Sequence, residues 1–237
     1  MDSTTAKAAV RDRVWSLLDM HGASLPPGAT GRIPPFVGCE RAAGLLAGTK
    51  MWQRSGVIKA NPDQAQLPVR LRALAEGKTV YMAVPKLARR QPFYLLDPNV
   101  LGDRAAEAAT GDGAARMAPT VAVDQMQAID LVVCGSVAVN RDGVRIGKGA
   151  GYSDIEVALL IEEGLLRDGA NITTTVHQLQ VVEHALPECE HDFRLDFIVT
   201  PEEVISCSSP YRPKGIYRDH LSGEKIAAIP VLADRYG

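Results

Sequence analysis

The stretch from Ile129 to Leu166 does most to limit how this chain can fold. It begins "IDLVVCGSVAV", an apolar run too continuous for a strand with one wet face, and reads as a strand covered on both sides. "RIGKGAGYSD" follows, with Gly147, Gly149 and Gly151 at alternate positions among Arg145, Lys148 and Asp154. "SDIEVALLIEEGLL" then takes up the spacing of an amphipathic helix, with Ser153 or Asp154 at its start. A strand buried on both faces has to be sandwiched between helices, so this unit predicts an α/β architecture.

The remaining segments agree with it. "GVIKANP" and "KTVYMAVP" are β-rich runs on either side of the helix-like "DQAQLPVRLRALAEG", a β-α-β unit over residues 56–84 that requires two parallel strands. "NITTTVHQLQVV" and "LDFIVTP" supply two more. Near the N-terminus, "TTAKAAVRDRVWSLLDM" carries Val10, Val14, Leu17 and Leu18 on one helical stripe. The proline- and glycine-rich "LPPGATGRIPPFVG" then leads into a short helical pattern, "CERAAGLLAG". The expectation is a three-layer α/β/α domain around an open, mostly parallel sheet, spanning residues 1–237 as one unit. Residues 1–50 form a helical arm and connector in this reading, and 206–237 an irregular C-terminal extension.

Composition excludes several function classes. With 46% apolar residues, 23% charged residues and a net charge of −2, neither disorder nor a basic nucleic-acid surface is expected. No apolar run approaches the ~18 residues of a membrane span, and "MDSTTAKAAVRDRVW" lacks the apolar core of a signal peptide, so a cytoplasmic location is expected. Cys39, Cys134, Cys189 and Cys207 form no CxxC pair, which argues against a zinc knuckle. His177, His184 and His191 recur at seven-residue spacing, but Pro187 breaks any helix that would align them as metal ligands. His191 and Asp192 read as capping residues of a turn before a strand.

A glycine-rich turn that delivers the chain into a helix N-terminus is a ready anion site, because unpaired amides and the positive end of the helix dipole converge there. The spacing is neither GxGxxG nor GxxxxGK followed by Ser or Thr, so the dinucleotide fingerprint and the P-loop are both excluded. The competing reading is a tight hairpin over "NRDGVRIGKG", with glycines serving turn geometry alone.

The wider pattern decides between them. Gly135, Gly143, Arg145, Gly147, Gly149, Gly151, Tyr152 and Asp154, followed by Gln180, Pro187, His191, Asp192 and Thr200, resemble in order the motif of the 5-formyltetrahydrofolate cyclo-ligase family. "KAAVR" and "GKTVYMAVPKL" extend the likeness over roughly four fifths of the chain. "GRIPPFVGCERAAGLL", "VIKANPDQAQ" and "RPKGIYRDHLSGEKIAAIPVL" resemble a divergent branch of that family, the methenyltetrahydrofolate synthetase domain-containing proteins. Established enzymes of the family usually show Tyr-Tyr-Asp-Arg where this chain has Tyr152, Ser153, Asp154 and Ile155. They also place a substrate-binding glutamate after the first strand, where this chain offers Asn61 and Asp63.

The resemblance implies an open sheet of the sugar-phosphate isomerase and CoA-transferase type. It also implies a ligase of one-carbon metabolism that uses ATP and Mg²⁺ to convert 5-formyltetrahydrofolate into 5,10-methenyltetrahydrofolate. In that case Arg145, Lys148 and Asp154 are the catalytic candidates. ATP would meet Lys7, Arg11, Arg145, Gly147, Lys148, Gly149, Ala150, Gly151, Tyr152, Ser153 and Asp154, and Asp154 would hold the metal. Lys7 and Arg11 project together from one helix turn, although that spacing also describes a solvated face, and Asp154 also suits a helix cap. Folate would meet Asn61, Lys86, Phe93, Tyr94 and Gln180, unless "PKLARRQPFYLLD" is a loop whose aromatics anchor it to the core. A reduced folate and ATP are the expected partners, nucleic acid and membrane are not, and the chain is expected as a monomer or homodimer. The alternative is a homologue that binds nucleotide or folate without turnover.

Overall fold

The computed structural model describes residues 3–237, so the first two positions of the N-terminal arm lie outside the described residues. The strands are β1 (Val57–Ala60), β2 (Thr79–Ala83), β3 (Phe93–Leu96), β4 (Thr120–Val121), β5 (Ile129–Cys134), β6 (Ala138–Asn140), β7 (Arg145–Ile146), β8 (Leu166–Thr175), β9 (Val181–Val182), β10 (Phe197–Val199) and β11 (Val204–Ser206). Eight of them form one sheet in the order β11-β10-β8-β5-β1-β2-β3-β4. β10, β8, β5, β1 and β2 pair in parallel, and antiparallel pairings add β11 at one edge and β3 and β4 at the other. β1 and β2 run in parallel register from Val57↔Thr79 to Ala60↔Met82, as the β-α-β pattern requires.

Side chains alternate across this sheet, and both faces are covered. Ile58 and Ala60 of β1 join Leu131 and Val133 of β5 on one face, while Val57 joins Val132 and Cys134 on the other. The first face packs against α1 (Ser3–Met20), α2 (Cys39–Ala47), α3 (Lys50–Arg54) and α4 (Leu67–Ala75), through Val14, Leu18, Leu46, Trp52 and Val69 among others. The second is covered by the helix Tyr152–Glu162, whose fully buried Leu159 and Leu160 each contribute roughly 1.5–3 kcal/mol. Helices therefore sandwich a mostly parallel sheet, as the sequence predicts.

Three expectations need correction. "IDLVVCGSVAV" is two strands: β5 ends at Cys134, and β6 continues in a separate three-stranded sheet of order β7-β6-β9. The bend comes at Gly135, where a Cβ would stand 2.8 Å from Asp63 Oδ2 and 2.9 Å from Ile33 Cγ2. The helix Tyr152–Glu162 is not amphipathic, since Ile155 to Leu160 are all buried. The reason is the third correction: the C-terminal segment folds into helices Gly223–Ala228 and Pro230–Tyr236, and their Ile226 and Leu232, with Ile229 between the two helices, join the same apolar cluster.

The hairpin reading of "NRDGVRIGKG" holds for its first half. β6 and β7 pair antiparallel across a turn in which Asn140 Oδ1 accepts the amide of Val144 at 3.0 Å. The glycine loop begins only after that hairpin.

Candidate functional site

A cavity of about 510 Å³ opens at the carboxyl ends of β1 and β2, where parallel α/β sheets generally bind ligands. Its walls are the segments just beyond those strands, the glycine loop, the first turns of α1 and the turn around Asp192.

The loop is built to hold its amides open. Gly149 has φ +100 and Gly151 φ +70, left-handed conformations that a side chain resists. A Cβ on Gly149 would also lie 3.2 Å from the Arg11 guanidinium carbon. The amides of Gly149, Ala150 and Gly151 donate to no acceptor among the described residues, and Gly151 caps the helix Tyr152–Glu162 without a side-chain hydrogen bond. Carbonyls fix the loop from both sides: Arg11 Nε donates to Gly147 O at 2.8 Å, and Lys225 Nζ donates to Ala150 O at 2.7 Å. Lys225 Nζ also sits 3.3 Å from the centroid of the Tyr152 ring.

Charges of both signs line the cavity. Arg145 is buried, donating to Gly135 O at 3.0 Å and to Asp154 Oδ1 at 2.9 Å. Burial is the largest single influence and disfavours its charge, but Asp154, Cys134 and Asp192 together outweigh it, so the pKa of Arg145 is raised. Asp154 Oδ2 accepts no hydrogen bond among the described residues, and a hard oxygen ligand beside open amides suits a magnesium-bound phosphate. Lys7 is ion-paired with the buried Asp192, and burial lowers the pKa of Arg11. Beneath the loop, Lys59 Nζ contacts Glu156 Oε2 and donates to Asn61 Oδ1 at 2.7 Å, while Asn61 Nδ2 donates to Ser153 Oγ at 2.7 Å. Desolvation raises the pKa of Glu156, against the pull of Lys59. Asp63 makes no side-chain hydrogen bond at its helix-start position, and desolvation raises its pKa although Lys148, Arg70, Lys59 and Arg145 oppose the shift.

The structure brings Lys7, Arg11, Asn61, Lys86, Arg145 and the whole 147–154 loop to this one cavity. It does not bring Phe93, Tyr94 or Gln180 there. Phe93 and Tyr94 are successive residues of β3, so the pleat sends their rings to opposite faces of the sheet, where each is buried in a different apolar cluster. Gln180 is buried as a brace, with Nε2 donating to Ser136 O at 2.9 Å and Val137 O at 3.1 Å and Oε1 accepting from the His177 amide at 2.8 Å. Ser153 and Asp154 are the second and third residues of their helix, so neither is its cap.

Sequence reasoning missed Glu156 and Lys59, and treated Asp192 as a cap only. The available signal was chemical: a lysine within "VIKA" and a glutamate within "IEVALL" are each charges placed in apolar elements, tolerable when they meet. Asp192 does cap its turn, accepting the Cys189 amide at 2.6 Å, and it also anchors Lys7.

Residues 3–201 match the model of the 5-formyltetrahydrofolate cyclo-ligase family. A methenyltetrahydrofolate synthase domain-containing protein of Mus musculus is 37% identical over 235 residues, covering 96% of this chain and 62% of the relative. Its Homo sapiens counterpart is 34% identical over 235 residues, with 96% and 60% covered. The chain thus spans about three fifths of the length of the curated relatives it matches. The solved structure of Aquifex aeolicus 5,10-methenyltetrahydrofolate synthetase, at 18% identity, superimposes with a TM-score of 0.55 over 93% of this chain and 100% of that one, which is a likeness of fold. With its sheet, its glycine loop and the family pattern extending over most of its length, the chain belongs to the 5-formyltetrahydrofolate cyclo-ligase family.

Proposed function

We propose that the chain catalyses the ATP- and Mg²⁺-dependent conversion of 5-formyltetrahydrofolate to 5,10-methenyltetrahydrofolate, within one domain that includes the C-terminal helices. The observation that carries this reading is the run of open amides at Gly149, Ala150 and Gly151 above the Arg145–Asp154 pair. The formyl oxygen attacks the terminal phosphorus of ATP and ADP leaves, the neighbouring folate nitrogen attacks the activated carbon and gives up its proton, and the C–O bond breaks to release phosphate. Bound Mg²⁺ would supply neutralising charge between phosphate oxygens.

The chain's own residues do the rest. The loop amides, Lys148, Arg11 and Lys7 would hold phosphate oxygens, Asp154 would hold the metal, and Arg145 fixes Asp154 in place. Asn61 and Asp63, where established enzymes carry a glutamate, face the folate ring, and Lys86 at the exposed rim meets its acidic tail. Purified protein with ATP, Mg²⁺ and 5-formyltetrahydrofolate should generate the absorbance of the methenyl product, and Asp154→Asn should lower that rate on the order of a hundredfold to a thousandfold.

One observation favours a second reading. Ile155, in the place of the family's arginine, is 5% exposed and packed in an apolar cluster, so no cation reaches the cavity from that position. Protein that binds ATP and folate but forms no product above the uncatalysed background would be a binding homologue.

A further inference from the structure

Beneath the helix Tyr152–Glu162, four polar side chains form one run of hydrogen bonds that ends at the cavity. Val57 and Lys59 alternate to that face of the sheet along β1, and Asn61, two residues further on, follows them. Ser153 and Glu156, three residues apart on the helix, share its sheet-facing side and meet them. Glu156 contacts Lys59, Lys59 Nζ donates to Asn61 Oδ1 at 2.7 Å, and Asn61 Nδ2 donates to Ser153 Oγ at 2.7 Å. Lys59, Asn61 and Glu156 are buried, so solvent does not compete for these bonds.

The direction of each bond is forced. An ammonium has donors and no acceptor, so the Asn61 carbonyl oxygen must face Lys59, and its amide nitrogen then faces Ser153. Ser153 Oγ is left as the acceptor, which turns its own hydrogen away from Asn61. That hydrogen meets no acceptor among the described residues, and Ser153 lines the cavity. The hydroxyl stands where the glycine loop, the nucleotide side of the cavity, adjoins Asn61, the folate side.

We propose that Ser153 is a catalytic hydrogen-bond donor to an oxygen of the phosphoryl group in transfer, with Asn61 and Lys59 as its positioning residues. The identity of that group rests on the cyclo-ligase reading. A hydroxyl whose direction is already set needs no reorganisation as charge develops on the phosphoryl oxygens, and Ser153 keeps its proton throughout. It stands where established enzymes of the family usually carry tyrosine, one residue before the buried Ile155, which brings no cation to the cavity.

Calorimetry with MgADP and aluminium fluoride, a mimic of the transferring phosphoryl group, in the presence of 5-formyltetrahydrofolate tests the proposal beside the product assay. Ser153→Ala should weaken binding of the mimic and lower kcat, each about 10–100-fold, while leaving the Kd for MgADP alone and the KM for 5-formyltetrahydrofolate unchanged. Ser153→Thr, which keeps the hydroxyl, should restore most of both losses. In Asn61→Asp the second carboxylate oxygen accepts the Ser153 hydrogen and draws it out of the cavity. That variant should cost as much as Ser153→Ala, yet little more when combined with it, whereas a general effect of the new charge would cost the same in both backgrounds. Circular dichroism identifies variants that remain folded. Unchanged mimic binding in Ser153→Ala, a loss confined to 5-formyltetrahydrofolate binding, or additive losses in the double variant would overturn the proposal. Wild type that binds the mimic through Ser153 but forms no product would overturn the turnover reading alone, and wild type that binds no MgADP would overturn both.

Discussion

Lys59 and Glu156 lie 97 residues apart in sequence and meet in full burial under the glycine loop, one from β1 and the other from the helix that the loop begins. Removing either partner alone leaves a buried charge without its counterion, at a cost of about 3–5 kcal/mol. Lys59→Met and Glu156→Leu should therefore each lower stability by that amount in urea denaturation, while the double variant recovers most of the loss. Additive losses in the double variant would show that the pair is not coupled.

Asp63 gives a pH-dependent prediction of opposite sign. Its folded pKa is raised above that of an unfolded aspartate, about 3.9, so the native state holds the proton more tightly and stability falls as pH rises from the unfolded towards the folded value. Above the folded value that cost is fully present. Asp63→Asn loses no protein side-chain hydrogen bond, so it should melt higher than wild type at pH 7, with the gap closing on acidification, while turnover falls. A lower melting temperature at pH 7 would contradict this placement.

Lys225 clamps the loop by a hydrogen bond to Ala150 O and by its position over Tyr152. Lys225→Met should cost roughly 1–3 kcal/mol of stability, the range for hydrogen bonds involving a charged donor, and should weaken MgATP binding in calorimetry by loosening the amides. Unchanged affinity in a destabilised variant would make the clamp structural only.

The four cysteines should separate into two classes. Cys39 is pushed up to about 11 and Cys207 to about 12, and Cys134 is also raised, chiefly by burial, so at neutral pH these thiols are protonated as well as covered. Cys189 alone is partly exposed, at the cavity. A thiol reagent should modify one cysteine rapidly in the native protein and four after denaturation, and Cys189→Ser should remove the rapid class.

Features written in local pattern were legible in the sequence. The β-α-β unit over residues 56–84 and the strand, loop and helix after Ile129 follow from runs and spacing, and they position Asn61 and the glycine loop at one cavity. What escaped depended on contacts between distant segments. Phe93 and Tyr94 looked like ring-binding residues because their burial depends on which helices cover β3, and a local run does not reveal that. Gln180 is polar and falls in the family pattern, yet its partners are backbone groups of residues 136, 137 and 177. The C-terminal helices were missed because Pro210, Pro213 and Pro230 punctuate a stretch whose apolar residues join a cluster built from distant segments, the helix Tyr152–Glu162 among them.

Those helices have a consequence for anyone who would transplant the glycine loop. The family match stops at residue 201, but cohesion does not: Ile229 and Leu232 are fully buried beyond it, and Lys225 reaches back to Ala150. Kinship and solidity thus draw different edges on the same chain. A graft trimmed at the kinship edge would carry a raw apolar flank and a loop moored on one side only, whereas one that keeps the last three dozen or so residues takes the mooring along.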